Sequence, residues 1–408
     1  MFRRFLSELF FNTSLGTGFY SDLSSGTFVV LIIFIILSFL LIKLSEYMKV
    51  EFLFSLGLLL SSITTINVLR YKPYGGDAQI YCDLTFLSKS SNLSIYDVEY
   101  KYTFNYPPIF GQILDFLCDF GYQTNYYFFL LPALILFLLI LRNEKRNAFL
   151  SFMYLFGAFL ALRWVLKTGN FVMLELVLLI FFVWHYKKKS HLSYLFLILF
   201  GIQRIWFLLL VPILFFLDNT NFAKKAKTII FTLVFVMLVN INSLNEFLGS
   251  ILNSNSQYNI LRESPGHNTP SIYLGLLNIL NIDSNIILLT IYVLVVIYIL
   301  FLILRKLKIS TDIKLITTFT FVLLINPYLK PYHFIFIVPC LLLLSDSFLR
   351  DKRSIITAII LPNLFWIIFS NLPSGTSLGF FQLLFIIAFI INLISLDKEK
   401  NEIDRFKI

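Results

Sequence analysis

Charged residues are scarce in this chain. Asp, Glu, Lys and Arg make up 14% of its 408 residues, against about 25% in soluble globular proteins. Hydrophobic residues make up 58%, and the mean hydropathy is +0.82. This composition excludes a soluble globular protein. The net charge of +10 does not indicate nucleic-acid binding, because the basic residues form short clusters between apolar runs.

Cysteine is nearly absent, with three residues in the whole chain and no motif spacing between them. Cys82 and Cys118 share one polar stretch and could pair, but without motif spacing we expect two free thiols, and Cys340 lies far from both. Segments of about ten residues with alternating hydrophobicity, which are typical of a membrane β-barrel, are also absent.

Apolar runs of about 20 residues repeat along the chain. They predict an all-α fold, a polytopic transmembrane helical bundle of about 12 to 13 spans in one membrane domain, residues 1–408. The candidate spans are 27–47, 51–69, 123–141, 147–166, 170–186, 191–203, 205–217, 228–247, 285–304, 313–326, 333–349, 354–370 and 377–396. The spans 191–203 and 205–217 are too short to cross a core of about 30 Å, so we expect a hairpin of short helices turning at Gln203 and Arg204.

Basic residues lie at alternate gaps between these spans. The clusters hold about two thirds of the 33 Lys and Arg residues, at 43–49, 142–146, 187–189, 224–227, 305–314, 350–353 and 398–407. By the positive-inside rule this side is cytoplasmic and includes the C-terminus. The loops 70–122 and 248–284 then face outward, on the periplasmic side of a plasma (inner) membrane, and we expect them to carry short helices.

Asp77 opens the longest polar stretch of the chain, directly after a predicted span. Acids near the ends of membrane spans tend to be functional, and a carboxylate there can take a proton from a hydroxyl nucleophile. Taken alone, Asp77 is equally well explained as a solvated loop acid or a helix cap. Asp97, in Ile-Tyr-Asp, is typical of a turn.

Further polar residues map to the same predicted outer level. They are Arg163, Lys167, Asn170, Gln203, Arg204, Arg262, His267, Asn268, Lys330 and His333. Cations and amides bind phosphate, so the set fits an anionic, lipid-linked substrate. Each member has a plainer role: Arg163 and Lys167 as snorkelling side chains, His333 as a structural residue at a helix start, and Asn170 and Asn268 as helix caps. The set, more than any one member, indicates a site.

The order of these motifs resembles the glycosyltransferase C superfamily, in particular family 87, the bacterial polyprenyl-phosphate-mannose-dependent mannosyltransferase-like proteins. The matching features are Asp77 with Tyr81, Asn-Leu-Ser-Ile-Tyr-Asp (92–97), Tyr-Pro-Pro-Ile (106–109), Gly-Asn (169–170), Arg204, Asn-Thr-Pro-Ser (268–271) and Asn-Pro-Tyr-Leu-Lys-Pro-Tyr-His (326–333). The chain departs from the family at Gln203-Arg204, where Lys-Pro is usual, at Gly-Asn, where Gly-Gln is common, and in an apparent extra N-terminal helix.

The resemblance implies an inverting transferase that moves a hexose such as mannose from a polyprenyl-phosphate donor to a lipid or glycan acceptor. Asp77 corresponds to the general base, and His333 to a residue near the donor phosphate. Arg163, Arg204 and Lys330 are the other candidates for binding that phosphate. Tyr81, Tyr96, Tyr106, Asn170, Gln203 and Asn268 are candidates for positioning the substrate.

No cofactor is implied. A metal is not indicated, because Asp77-Ala78-Gln79 lacks the second acid of the Asp-x-Asp pattern that other superfamily members carry, although Asp83 keeps that question open. The implied partners are the lipid donor, the acceptor and the bilayer, with no nucleic acid. A polysaccharide polymerase and a lipid-linked glycan flippase or transporter are the alternatives. A transporter predicts charged or broken helices at the bilayer midplane.

Overall fold

The computed structural model describes residues 25–70, 76–98, 106, 108–121, 135–136, 138–139, 142, 147–168, 172–217, 221–240, 245–246, 271–280, 282, 286–306, 309–327, 329–369 and 375–406. Every regular element within these residues is a helix, so the prediction of an all-α fold is confirmed.

The α-helices follow the chain in this order: α1 (Ser25–Tyr47), α2 (Val50–Arg70), α3 (Gly76–Ser91), α4 (Pro108–Cys118), α5 (Ala148–Gly157), α6 (Ala161–Thr168), α7 (Val172–Lys187), α8 (Ser193–Gln203), α9 (Leu210–Leu217), α10 (Phe222–Val239), α11 (Ile272–Leu280), α12 (Ile286–Lys306), α13 (Thr311–Ile325), α14 (Asp346–Leu349), α15 (Lys352–Ile355), α16 (Leu361–Phe369) and α17 (Gly375–Phe406). Segments of 3₁₀ helix occupy Ala158–Leu160, Ile205–Leu209 and Pro331–Leu343, and a π-helix occupies Ile356–Ile360.

The helices coincide with the apolar runs of the sequence. For example, the predicted spans 27–47, 51–69 and 285–304 correspond to α1, α2 and α12. Helices α3, α4 and α11 are the short helices expected within the stretches 70–122 and 248–284. Most of the predicted span 123–141 lies outside the described residues.

Within the described residues, two helical stretches are both long and apolar enough to cross a membrane, Val50–Asn67 and Ile286–Lys306. The second comprises the 21 residues of α12, which at 1.5 Å per residue is about 31 Å and matches a hydrocarbon core of about 30 Å. Its Ile286, Ile287 and Leu294 side chains are 60% to 68% exposed. Large exposed apolar surfaces of this kind mark contact with a membrane or a partner.

Contacts between Cα atoms divide the chain into two compact units. Unit 1 comprises Met1–Val68, Phe149–Arg163 and Ser264–Ile408, and unit 2 comprises Leu69–Ala148 and Trp164–Glu263. In unit 1, α12, α17 and the 3₁₀ helix Pro331–Leu343 pack against α13. Apolar residues lie all around α13, so it is buried on every side and forms the centre of this core.

Unit 1 contains a helix break that the sequence did not reveal. The span 147–166 was predicted as one helix, but Phe159 and Leu160, both buried, have φ angles of 53° and 55° and separate α5 from α6. Two buried amides satisfy the carbonyl groups around the break. Asn363 Nδ2 donates to Gly157 O (2.9 Å), and Gln382 Nε2 donates to Phe159 O (2.8 Å). Left-handed backbone at non-glycine residues persists only where its surroundings enforce it.

Gly157→Ala is expected to destabilise unit 1. A Cβ at this position would lie 2.5 Å from Ser61 Oγ and 2.9 Å from Ile359 Cγ2, and overpacking of this kind costs about 1–3 kcal/mol. Thermal unfolding of the purified protein in one detergent measures the effect. Gly57→Ala is the matched control, because its Cβ would meet Ile359 Cγ2 at 3.2 Å, a milder contact. Equal melting temperatures for the two variants would argue against this packing.

In unit 2, α7 packs against α8, and α8 packs against α10. Helices α3 and α4 form a separate pair whose small core includes Leu84, Phe110 and Leu114. A disulfide joins Cys82 of α3 to Cys118 of α4, with the Cα atoms 5.3 Å apart, so the expectation of two free thiols is wrong.

An ion-pair cluster forms a second connection between α3 and α4. Lys89 Nζ lies 2.8 Å from Asp115 Oδ1 and 3.2 Å from Asp119 Oδ1. Hydrogen bonds, first to Asp115 and then to Asp119, raise the pKa of the Lys89 ammonium. Because all three side chains are well exposed, the disulfide and the buried core contribute more to holding the two helices together than these ion pairs do.

Candidate functional site

The predicted turn at Gln203 and Arg204 is present. Helix α8 ends at Gln203, and Arg204 has non-helical backbone angles (φ −136°, ψ 83°) before the 3₁₀ helix Ile205–Leu209 begins. The chain folds back closely at this point. A Cβ on Gly201 would lie 2.8 Å from Leu208 Cδ2 and 3.1 Å from the Leu208 backbone nitrogen, so glycine permits the approach.

Arg204 forms an ion pair with Glu175, in the first turn of α7. Arg204 Nε donates to Glu175 Oε1 and Oε2, each at 3.0 Å. The Glu175 side chain is fully buried, and the Arg204 side chain is 16% exposed. A buried carboxylate is tolerated when it is paired in this way, so each partner requires the other.

The same guanidinium reaches Tyr106. Arg204 Nη2 donates to Tyr106 Oη at 3.0 Å, and the guanidinium carbon lies 5.1 Å from the centroid of that ring. The Tyr106 hydroxyl also lies 2.9 Å from the Tyr81 hydroxyl, and Tyr96 Oη donates to the Tyr106 carbonyl at 2.6 Å. We call these five residues the tyrosine network: Tyr81, Tyr96, Tyr106, Glu175 and Arg204.

The tyrosine hydroxyls of this network are not all equally accessible. Tyr106 is buried, and Tyr81 and Tyr96 are half-buried. Burial, followed by the Glu246 carboxylate, raises the pKa of the Tyr96 phenol well above its usual value. Tyr96 is therefore a neutral hydroxyl throughout the physiological range, as are ordinary tyrosines.

Asp77 lies beside this network in the sequence of α3. It is the second residue of the helix, one turn before Tyr81, so its backbone is helical and not part of a loop. Negative charge is favoured in the first turn of a helix by the helix dipole. The side chain of Asp77 lies outside what the structure describes.

Arg163 of unit 1 does not snorkel to a surface. Its side chain is 7% exposed, and the guanidinium carbon lies 3.2 Å from the Trp366 ring centroid. Nε and Nη1 have no hydrogen-bond partner among the described residues. The stacking on Trp366 is a cation–π contact that is strengthened by desolvation.

His333 of unit 1 has a structural role at the start of its 3₁₀ helix, one of the roles considered from the sequence. The His333 Nδ1 accepts a hydrogen bond from the Lys330 backbone N–H at 3.1 Å, and the His333 backbone N–H donates to the Lys330 carbonyl at 2.9 Å. His333 is 3% exposed and stacks on Phe336, while Lys330 is half-buried. A phosphate site shared by Arg204, of unit 2, with Lys330 and His333, of unit 1, stays a prediction.

Of the other polar residues singled out from the sequence, the structure describes some and not others. Gln203 is half-buried at the end of α8, and its Oε1 has no partner among the described residues. Asp97 closes a turn, since its N–H donates to the Ser94 carbonyl at 2.9 Å, which confirms the interpretation from the sequence. Asn170 and Asn268 lie outside the described residues, as does the side chain of Lys167.

Glu175 is the member of the tyrosine network that sequence reasoning missed. It stands alone in the apolar stretch Val172–Val183, where it is the single acid. An ionisable residue within a predicted membrane span indicates a functional site and an ion-pair partner. The signal was therefore present in the sequence, but the partner was not identifiable.

The described residues contain no group of three or more His, Cys, Asp or Glu side chains that could hold a metal ion. Compared with protein-family models, curated proteins and solved structures, the chain gives no match.

Proposed function

We propose that the protein is a membrane-embedded inverting glycosyltransferase that moves a hexose from a polyprenyl-phosphate donor to a lipid or glycan acceptor. One observation carries this proposal. Four residues assigned to the substrate from the sequence, Tyr81, Tyr96, Tyr106 and Arg204, meet in one hydrogen-bonded network. One of them, Tyr81, lies in α3 one turn after Asp77.

The proposed chemistry requires one base and one leaving group. Asp77 accepts the proton of the acceptor hydroxyl while the hydroxyl oxygen attacks the anomeric carbon of the donor sugar. The bond from that carbon to the phosphate oxygen breaks, and the polyprenyl phosphate leaves with the electron pair. Attack opposite the leaving group inverts the configuration. The assignment of Arg163, Lys330 and His333 to the phosphate remains part of this proposal.

We further propose a polytopic bundle of about 12 to 13 spans, on the basis of the apolar runs. The length of α12 and its exposed isoleucine and leucine side chains support a membrane setting. The disulfide between Cys82 and Cys118 supports placing α3 and α4 on the outer face, because disulfides persist in oxidising compartments and are rare in the cytosol.

Cysteine labelling of intact cells tests this topology. Leu93→Cys, at a position 51% exposed after α3, is expected to react with a membrane-impermeant maleimide. Lys398→Cys, at an exposed position in α17, is expected to react only after permeabilisation, because it belongs to a basic cluster that the positive-inside rule places in the cytoplasm. Native background should be low, since Cys340 is buried and the other two cysteines are paired. The reverse labelling pattern would place α3 in the cytoplasm and remove the proposed site from the outer face.

A transfer assay with purified protein in lipid nanodiscs tests the proposal directly. Incubation with a radiolabelled polyprenyl-phosphate hexose and a glycan acceptor is expected to yield labelled acceptor and free polyprenyl phosphate. No turnover with any polyprenyl-phosphate hexose, alongside a folded protein, would contradict a transferase.

A lipid-linked glycan transporter is the second candidate. It is favoured by the helix break at Ala158–Leu160, since broken helices within membrane spans are features of transporters. Proteoliposomes distinguish the two candidates. A transporter moves the intact lipid-linked glycan between leaflets, whereas a transferase separates the sugar from its lipid.

A further inference from the structure

The positive charge of Arg204 is neutralised by the carboxylate of Glu175. Its Nε contacts both oxygens of the fully buried Glu175 carboxylate at 3.0 Å. A guanidinium paired in this way presents no net positive charge to a ligand. A phosphate or carboxylate approaching Arg204 would meet the negative charge of Glu175 in a region where burial weakens screening by water.

The remaining groups of the tyrosine network are neutral. Tyr81 and Tyr96 are half-buried, and each presents a phenol whose hydroxyl can donate and accept hydrogen bonds. The buried Tyr106 connects the two phenols to Arg204. Hydroxyl groups and an apolar ring face are what a neutral sugar ring presents in return. A site built to hydrogen-bond hydroxyl groups discriminates strongly against ligands that cannot satisfy its buried polar groups.

We propose that the tyrosine network binds a neutral sugar ring and that Glu175 determines this specificity by excluding anionic sugars. The proposal rests on the function proposed above and identifies the substrate class of its site. Arg204 then acts on sugar hydroxyl groups through its paired guanidinium and does not bind the donor phosphate. Like-charge repulsion against the wrong ligand is a common basis of specificity, and here the repelling charge is the buried carboxylate.

A matched pair of ligands tests the inference, because octyl glucoside and octyl glucuronide differ by one carboxylate. Binding of each to the purified protein in nanodiscs is measured by isothermal titration calorimetry. The wild type is expected to prefer the neutral glucoside. Glu175→Gln leaves Arg204 uncompensated, and the ratio of the two affinities should shift toward the glucuronide by about tenfold or more. An unchanged ratio in this variant would overturn the inference.

A double variant separates charge from structure. Glu175→Gln with Arg204→Gln removes both charges, so neither repulsion from Glu175 nor attraction by an unpaired Arg204 acts on the ligand, and the affinity ratio should lie between those of the wild type and Glu175→Gln. The double variant also keeps the experiment informative if Glu175→Gln alone fails to fold. A double variant that keeps the full wild-type preference for the glucoside would then refute the role of the Glu175 charge. Asp119→Asn removes an exposed acid of unit 2 and should leave the ratio unchanged.

The outcomes distinguish this inference from the proposed function. Wild-type protein that binds neither ligand, or prefers the glucuronide, overturns the assignment of the network to neutral sugars even if the protein transfers hexose. Wild-type protein that shows the expected ratios but never transfers sugar refutes the transferase and leaves the binding site standing.

Discussion

Asp77→Asn is expected to abolish sugar transfer while the protein still folds and binds its donor. An amide keeps the size of the carboxylate but cannot accept the proton of the acceptor hydroxyl. Loss of a general base lowers the rate by about 10²–10⁴-fold. The measurement is the initial rate of transfer from a radiolabelled polyprenyl-phosphate hexose to an acceptor by the purified variant in nanodiscs, with the melting temperature recorded beside it.

Two neighbouring acids provide matched controls for this variant. Asp83 lies in the second turn of α3, and Asp97 closes the turn that begins at Ser94. Asp83→Asn and Asp97→Asn make the same chemical change at the two acids that follow Asp77 in the sequence. Both variants should retain near-normal transfer rates. Near-normal transfer by Asp77→Asn, with an inactive Asp83→Asn or Asp97→Asn, would show that another acid is the base.

Arg204→Ala is expected to have the largest effect on stability. It leaves the Glu175 carboxylate buried without its partner, and removing one member of a buried ion pair typically costs about 3–5 kcal/mol. The variant should therefore unfold at a much lower temperature than the wild type in the same detergent. The hydrogen bond to Tyr106 is lost as well, so Tyr106 should become less well ordered.

Two other variants identify the cause of that loss. The double variant Glu175→Gln with Arg204→Gln should recover most of the stability, because no charge is left buried without a partner. Lys89→Ala removes the cation of an exposed cluster, with side chains 44% to 66% exposed, and should change the melting temperature little. If Arg204→Ala melts no lower than Lys89→Ala, the pair with Glu175 does not stabilise the fold in the way described.

The apolar runs predicted most of the helix positions, because a helix of about 20 apolar residues is specified by its own sequence in a low-dielectric setting. The turn at Gln203 and Arg204 was predictable for a related reason, since two short apolar runs flank a polar pair. The break at Phe159 and Leu160 was not predictable. Gly157 precedes it but has an ordinary negative φ, and the left-handed backbone at Phe159 and Leu160 depends on amides at Asn363 and Gln382, more than 200 residues away in sequence.

Four of the five members of the tyrosine network were identified from the sequence, but Glu175 and the contacts among the members were not. Tyr81, Tyr96, Tyr106 and Arg204 were identified from their motifs, yet the hydrogen bonds among them join positions 10, 25 and 98 residues apart. The pairing of Cys82 with Cys118 was not predictable for the same reason, because the sequence does not give the distance between two cysteines in one polar stretch.

The sequence by itself determined that the protein is all-α, where its helices lie and which polar residues stand apart from the apolar background, because hydrophobicity and helix formation act locally along the chain. Only the tertiary structure decided that Arg204 pairs with Glu175, that Tyr106 joins Arg204 to Tyr81, and that amides stabilise the break in unit 1. Hydrogen bonds and ion pairs depend on distances of about 3 Å between side chains, and packing alone brings residues from distant parts of the chain within that range.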